Sequence, residues 1–151
     1  MATALNVTWV QGQDLDFALR YKEGADADSL VVKDLTTGYD IRMDIVDANG
    51  VRLYTFNSSD IPDVDPITVG DTPDDTTEAV LSSGTESTPN VDISVSRALT
   101  LPGGALYTGI TASPPVLTYL SDVFLRDTVA NKQWKIATLT IAIEKSYTLW
   151  P

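Results

Sequence analysis

Residues 34–57 read DLTTGYDIRMDIVDANGVRLYTFN, and the first half of this stretch alternates between apolar and polar side chains. The apolar side chains are Tyr39, Ile41, Met43 and Ile45, and the polar ones between them are Asp40, Arg42 and Asp44. A period of two is typical of a half-buried strand, so we predict a strand over residues 39–47. Residues 47–50, Asp-Ala-Asn-Gly, have the composition of a tight turn, and we predict that residues 51–57 return as the second strand of a hairpin.

The pairing register of this hairpin has two alternatives. A type I turn followed by a bulge places Leu53 opposite Ile45, whereas a two-residue turn places Tyr54 and Phe56 on the core face. The Asp and the Gly at the ends of the 47–50 turn suit the bulged turn, so the sequence favours the first register.

Alternating segments recur along the rest of the chain, and no long helical pattern is present. They span residues 5–10, 15–21, 91–95, 117–126 and 133–145. The first is predicted to be an edge strand. In the last, Trp134 and Ile136 fall on the opposite face from the later apolar residues, which predicts a bulge near Ile136. Residues 96–99 fit a single helical turn before the Leu-Pro-Gly-Gly turn at 101–104.

Together these segments predict an all-β protein. The number of strands and their spacing favour an antiparallel two-sheet β-sandwich, Ig-like or jelly-roll-like, and a barrel is the competing architecture. The length of 151 residues suits a single domain over 1–151.

Residues 58–90 form an acidic segment rich in Pro, Asp, Thr and Ser that interrupts the strand pattern. Its three early prolines exclude a long helix or a central strand there. We predict a long acidic loop insertion, with residues 60–86 outside the core because so many like charges cannot be buried unpaired. Within it, residues 76–83 fit either a short helix or a short strand.

The composition excludes several classes of function. The chain has no cysteine and no histidine, so disulfides, thiolate or imidazole metal sites and His-based catalytic triads are excluded. The net charge of -11 opposes contact with a phosphate backbone, so we expect no nucleic-acid partner. No apolar run is long enough to cross a bilayer and no signal peptide is visible, so we expect a protein made in the cytoplasm without a membrane partner.

Five aspartates in the acidic insertion offer the oxygen ligands that Ca²⁺ prefers. They are Asp63, Asp65, Asp71, Asp74 and Asp75. Their spacing does not match an EF-hand loop, and a solvated loop or one that meets a basic partner is the favoured interpretation.

No catalytic residue is assigned. Asp40 and Asp44 are interpreted as residues on the solvent-facing side of one strand rather than as the two carboxylates of a glycosidase. The Ser and Thr hydroxyls lack an activating histidine or a Ser-x-x-Lys motif, so we expect neither an enzyme nor a cofactor.

Contact with a partner is the remaining kind of site. Tyr147, Leu149 and Trp150 in the apolar tail 146–151 either seal their own sandwich or dock into a neighbouring subunit. Trp9, on the predicted edge strand, is a further partner-contact candidate. Six aromatic residues along the strands are core residues in the simplest interpretation and a sugar-stacking face in the alternative one. They are Trp9, Tyr21, Tyr54, Tyr107, Tyr119 and Trp134.

Two stretches resemble a known family. The first is QGQDLDFALRYKEG at 11–24 with DLTTGYDIRMDIVDANGVRLYTFNS at 34–58, and the second is VDISVSRALTLPGGALYTG at 91–109 with SDVFLRDT and QWKIATLTIAIEKS up to residue 146. Together they resemble the small β-sandwich domain of tailed-bacteriophage virion proteins. That domain is similar to the N-terminal domain of baseplate upper proteins and to the LtfC-type structural proteins of actinobacteriophages. The acidic insertion and the tail after Ser146 have no counterpart in the shared pattern.

The resemblance implies a structural and attachment module of a phage tail, neck or fibre base, with no catalytic residues. Its expected partners are other virion proteins and copies of itself, and its expected location is the virion. A head decoration or minor capsid protein is one alternative. A carbohydrate-binding module that recognises a host surface glycan is the other.

Overall fold

The strands of this protein account for most of its regular structure, and its helices are short. The computed structural model describes residues 3–58, 77–107 and 116–146. The strands are β1 (Thr3–Val10), β2 (Leu15–Leu19), β3 (Lys22–Glu23), β4 (Val31–Val32), β5 (Tyr39–Val46), β6 (Arg52–Asn57), β7 (Glu78–Leu81), β8 (Val91–Val95), β9 (Val116–Asp127) and β10 (Lys132–Glu144). The described ranges also contain two 3-10 helices, Ala27–Ser29 and Arg97–Thr100, the second where the sequence predicts a helical turn. The all-β prediction is confirmed.

The strands form two main sheets and a small ribbon. The large sheet has the order β1-β10-β9-β5-β6, the small sheet has the order β2-β8-β7, and β3 pairs with β4. All pairs are antiparallel except β1 with β10, which is parallel. The predicted sandwich is confirmed, and β1 is an edge strand as expected, but it pairs in parallel with β10, which the sequence pattern does not predict.

The strand order agrees with the Ig-like alternative rather than with the jelly roll. The small sheet β2-β8-β7 corresponds to strands B-E-D of an immunoglobulin domain, and β10-β9-β5-β6 corresponds to G-F-C-C′. The segment between β6 and β7 therefore occupies the position of the C′ to D connection. No disulfide joins the two sheets, since the chain has no cysteine.

Apolar side chains from both sheets meet in one core. From the large sheet they include Ile41, Met43, Ile45, Val123, Leu125, Leu139 and Ile141, and from the small sheet Leu15, Val91, Ile93 and Val95. One hydroxyl lies among them: the buried Ser121, opposite Leu139, has no hydrogen-bond partner for its Oγ in the part of the chain that the structure describes. Truncating a buried aliphatic side chain here to Ala should cost about 2–5 kcal/mol.

The turn between β5 and β6 has the predicted form. The amide of Gly50 donates to the carbonyl of Asp47 at 3.0 Å, and the amide of Asp47 donates to the carbonyl of Val51 at 2.9 Å. Gly50 has φ +78, a conformation in which glycine is favoured because it has no Cβ. The Asp47 carboxylate also accepts from the amides of Asn49 and Val51.

The favoured register of this hairpin is nevertheless wrong, because β6 contains a second bulge. Val46 pairs with Arg52, but Ile45 pairs with Tyr54, which leaves Leu53 as the extra residue. Tyr54 and Phe56 are therefore buried, as the other register predicts. Burying two aromatic rings removes more apolar area from water than burying Leu53 would, and this outweighs the irregularity in the ladder.

The bulge predicted near Ile136 is confirmed. The pairing of β10 with β9 shifts between Lys135 and Ala137, and both Ile136 and Ala137 are buried. The bulge lets the apolar residues on either side of it face the core.

The acidic insertion is shorter than predicted. Residues 78–81 form β7, which pairs with β8, so the strand alternative applies to this part of the chain. Ala79 and Leu81 pack against the core, whereas Glu78 and Val80 point outward. The prediction that residues 60–86 lie outside the core is therefore corrected for β7, and residues 59–76 lie outside the described part.

Candidate interaction surfaces

The loops at one end of the sandwich are tied together by a buried asparagine. Asn90 accepts a hydrogen bond from the amide of Tyr21 at 2.7 Å and donates to the carbonyls of Tyr21 at 2.9 Å and Lys33 at 2.7 Å. Asn90 thus joins the loop between β7 and β8 to the segment that carries β3 and β4. We call this end of the sandwich, built from residues 20–38, 82–90 and 128–131, the loop end.

Three further contacts fix the loop end. Lys22 and Glu86 form an ion pair at 2.8 Å, which lowers the pKa of the Glu86 carboxyl. Gly84 has φ +59, and a Cβ there would lie 2.8 Å from the Cβ of Asn90. The amide of Thr128 donates to the carbonyl of Gly38 at 2.9 Å, so the turn between β9 and β10 is joined to the start of β5.

A groove of about 720 Å³ opens at the loop end beside the β3–β4 ribbon. Its lining consists of Tyr21, Lys22, Glu23, Gly24, Leu30, Val31, Val32, Lys33, Asp34 and Trp134, and we call it the end groove. Leu30 is 43% exposed and Val31 is 61% exposed, so apolar surface is open to water here. The end groove combines this apolar surface with a rim of charged side chains.

The rim of the end groove holds a hydrogen-bonded charge cluster. The Tyr21 hydroxyl donates to Glu23 at 3.1 Å, and Lys33 pairs with Glu23 at 3.0 Å. Burial and the Glu23 carboxylate raise the pKa of Tyr21 to about 12, and the hydrogen bond to Glu23 raises the pKa of Lys33. At neutral pH the Tyr21 phenol is therefore protonated, and Lys33 and Glu23 form an ion pair.

The outer face of the large sheet carries ion pairs across its strands. Asp40 on β5 pairs with Arg126 on β9 at 2.8 Å. Asp44 lies directly opposite Asp122, which alone would be unfavourable. Positively charged and hydroxyl groups surround these two carboxylates. Asp44 accepts from Thr55 at 2.7 Å and pairs with Arg42 at 3.4 Å, and Asp122 accepts from Thr138 at 3.0 Å and pairs with Lys135 at 3.3 Å.

Apolar side chains lie beside these ion pairs. Val46 and Leu120 are cross-strand neighbours, and Leu120 is 45% exposed. Val51, next to the turn, is 53% exposed. They line a shallow groove of about 600 Å³ together with Phe124. The outer face of the large sheet is thus a mixed apolar and charged surface.

At the opposite end of the sandwich, Gln11 joins the end of β10 to the second 3-10 helix by hydrogen bonds. Its amide donates to the carbonyl of Glu144 at 2.8 Å, and its side chain donates to the carbonyl of Thr100 at 3.2 Å and accepts from the amide of Ser146 at 3.2 Å. Because these bonds hold the end of β10, the residues after Ser146 start from this end, away from the loop end.

The residues proposed from the sequence fall into three groups. Trp9, expected to contact a partner, instead belongs to the core: it is 1% exposed, and its indole N–H donates to the carbonyl of Gln13 at 2.6 Å. A further group lies outside the described residues: Asp63, Asp65, Asp71, Asp74, Asp75, Tyr147, Leu149 and Trp150. Asp40 and Asp44 are each engaged in ion pairs on the outer face of the large sheet.

The six aromatic residues do not form a common face. Trp9, Tyr54 and Tyr119 are buried, while Tyr21 and Trp134 share the end groove. Tyr107 precedes the part of the chain between β8 and β9 that is not described. A sugar-stacking platform made of all six is therefore not present.

Within the described ranges, no group of three or more acidic side chains is arranged to hold a metal ion. The same residues include no helix that is long and apolar enough to span a membrane. No protein-family model matches the chain, and no curated protein matches it in sequence.

Proposed function

We propose that this chain is a non-enzymatic structural component of a tailed-bacteriophage virion, an adaptor or attachment module of the tail, neck or fibre base. The observation that carries the proposal is the outer face of the large sheet, where the exposed Leu120 and Val51 lie beside ion pairs. Exposed apolar surface bordered by charged groups is characteristic of a site for protein contact. The resemblance of residues 11–58 and 91–146 to virion sandwich domains is the reason for proposing that this contact forms in a phage virion.

The partners in this proposal are other virion proteins and copies of the same chain. Leu120 and Val51 would enter a desolvated contact, while Asp44, Arg52 and Asp122, which line the same groove, would select a neighbour of complementary charge. The rigid pairing of β5, β9 and β10 beneath them holds the contact residues in fixed positions.

The experiment is quantitative mass spectrometry of purified particles of the phage whose genome encodes this chain. The expected result is a constant number of copies per particle, retained through density-gradient purification. A protein found in the lysate of infected cells but absent from particles would overturn the proposal.

A variant pair tests the role of the sheet face in the same particles. Leu120→Glu places a charge in the proposed contact and should strongly reduce incorporation, while leaving the fold intact because the side chain is exposed. Val129→Glu is the matched control, since Val129 is 88% exposed at the loop end, away from this face. Equal incorporation of both variants would exclude the face as the contact.

A further inference from the structure

Among the described residues, the large sheet has an open edge at the loop end. β10 begins at Lys132, but its parallel partner β1 pairs with it only from Ala137 onward. On that side of β10, residues 132–135 have no neighbouring strand among the described residues. Alternate residues of a strand direct their N–H and C=O groups to each side, so this edge offers backbone donors and acceptors to an added strand.

The end groove lies next to this open edge. Trp134 pairs with Leu125 of β9 but belongs to the part of β10 that β1 does not cover, and it lines the groove together with the exposed Leu30 and Val31. The indole N–H of Trp134 has no hydrogen-bond partner within the described ranges. A backbone edge beside a pocket for apolar side chains is the arrangement that binds an extended peptide by strand addition.

We propose that the end groove and the open edge of β10 bind the segment Tyr147-Thr148-Leu149-Trp150-Pro151 of a second copy of this chain as an added strand. The inference rests on the proposed function only in that both concern assembly from repeated copies. The chemistry of the segment fits the groove: its large apolar side chains match the apolar lining residues Leu30, Val31 and Trp134, and it has no charged side chain to disturb the Glu23–Lys33 pair of the rim.

Distance excludes the same contact within one chain. Trp134 and Glu144 lie on one strand, about 33 Å apart at ~3.3 Å per residue. The segment departs after Ser146, which Gln11 holds at the opposite end of the sandwich. From Ser146 the chain reaches Trp150 within about 14 Å even when fully extended. The groove that receives this segment therefore belongs to another copy.

The resulting contact is heterologous, since one end of a copy binds the other end of the next. Such a contact closes into a ring or continues as an open chain, according to the rotation between copies. A short segment buries a small area, so the contact should be weak in dilute solution and effective where copies are held close together.

The test is sedimentation velocity of the full chain at concentrations up to about 1 mM, where a contact of this size should form. The expected result is concentration-dependent association that Val31→Glu and Trp150→Ala each weaken at least tenfold. Val129→Glu, an equally drastic change at an exposed position outside the groove, should associate as the wild type does.

Mixing the two defective variants tests the head-to-tail geometry. Val31→Glu keeps a working segment and lacks a groove, whereas Trp150→Ala keeps a working groove and lacks a segment. Each alone should be monomeric, and their mixture should give a one-to-one dimer and nothing larger. A mixture that stays monomeric, or that forms the same large species as the wild type, would overturn the proposal.

Two other results would also overturn it. A wild-type chain that is monomeric throughout the concentration range has no such contact. A lowered thermal unfolding midpoint for Trp150→Ala with unchanged association would mean that the segment packs on its own subunit. Neither result bears on the proposed virion function, which is tested separately by the protein content of particles.

Discussion

Replacing Asn90 should loosen the loop end more than any other single polar substitution there. In Asn90→Ala the amide of Tyr21 and the carbonyls of Tyr21 and Lys33 lose their side-chain partner together. Each such hydrogen bond contributes about 1 kcal/mol net, and a group left unpaired away from water costs more. We expect a loss of about 2–4 kcal/mol in the free energy of unfolding, which is a drop of roughly 1–2 M in the urea midpoint.

A second substitution separates hydrogen bonding from packing at this position. Asn90→Asp keeps the size of the side chain and the acceptor for the amide of Tyr21. It removes the two donors, however, and places a carboxylate oxygen against the carbonyls of Tyr21 and Lys33. Asn90→Asp should therefore be at least as destabilising as Asn90→Ala at neutral pH.

The assay is equilibrium urea unfolding followed by tryptophan fluorescence. Asn49→Ala is the control, because Asn49 is exposed at the tip of the β5–β6 turn, and its effect should stay within about 0.5 kcal/mol. If Asn90→Ala unfolds at the midpoint of this control, or if Asn90→Asp is tolerated, then Asn90 does not hold the loop end as described.

Three further predictions concern buried or strained positions. Ser121→Ala should leave stability unchanged or raise it by up to about 2 kcal/mol, because it removes a buried hydroxyl without a described partner, and clear destabilisation would reveal a partner. Gly84→Ala should lower the thermal midpoint more than Gly103→Ala, because both have positive φ but only Gly84 lies against another residue, and equal effects would count against that close approach. The pKa of Tyr21 is raised from 10.0 to about 12. The stability that the protonated Tyr21 phenol contributes is therefore complete below pH 10 and is lost as the pH rises toward 12. In urea titrations at pH 9 and pH 12, Tyr21→Phe should lose less stability than the wild type, and equal losses would contradict this assignment.

The sequence was sufficient wherever one face of a strand is apolar and the other is polar. β5 and β8 have the predicted faces, and the bulge near Ile136 was visible because the apolar alternation changes phase there. In β6 both faces carry apolar residues, so the pattern left two registers open, and the packing of Tyr54 against the core selected the one that was not favoured.

The alternation of apolar and polar residues does not predict contacts between distant parts of the chain. Asn90 and Gln11 each form hydrogen bonds to residues far away in sequence. The local sequence does not distinguish a buried Asn or Gln from one in an exposed turn. The parallel pairing of β1 with β10 has the same origin, because it depends on which sheet the first strand joins. The position of Trp9 on a predicted edge strand suggests a partner contact, but the apolar face of that strand points into the core.

The measurement that tests the central claim most directly is a cryo-electron microscopy reconstruction of particles of the tailed phage that is proposed to encode this chain. The expected result is density for the two-sheet sandwich in several symmetry-related positions in the tail, neck or fibre base, with the outer face of the large sheet against another virion protein or a second copy. A reconstruction in which every component is assigned to other proteins and no density accommodates this sandwich would contradict the account.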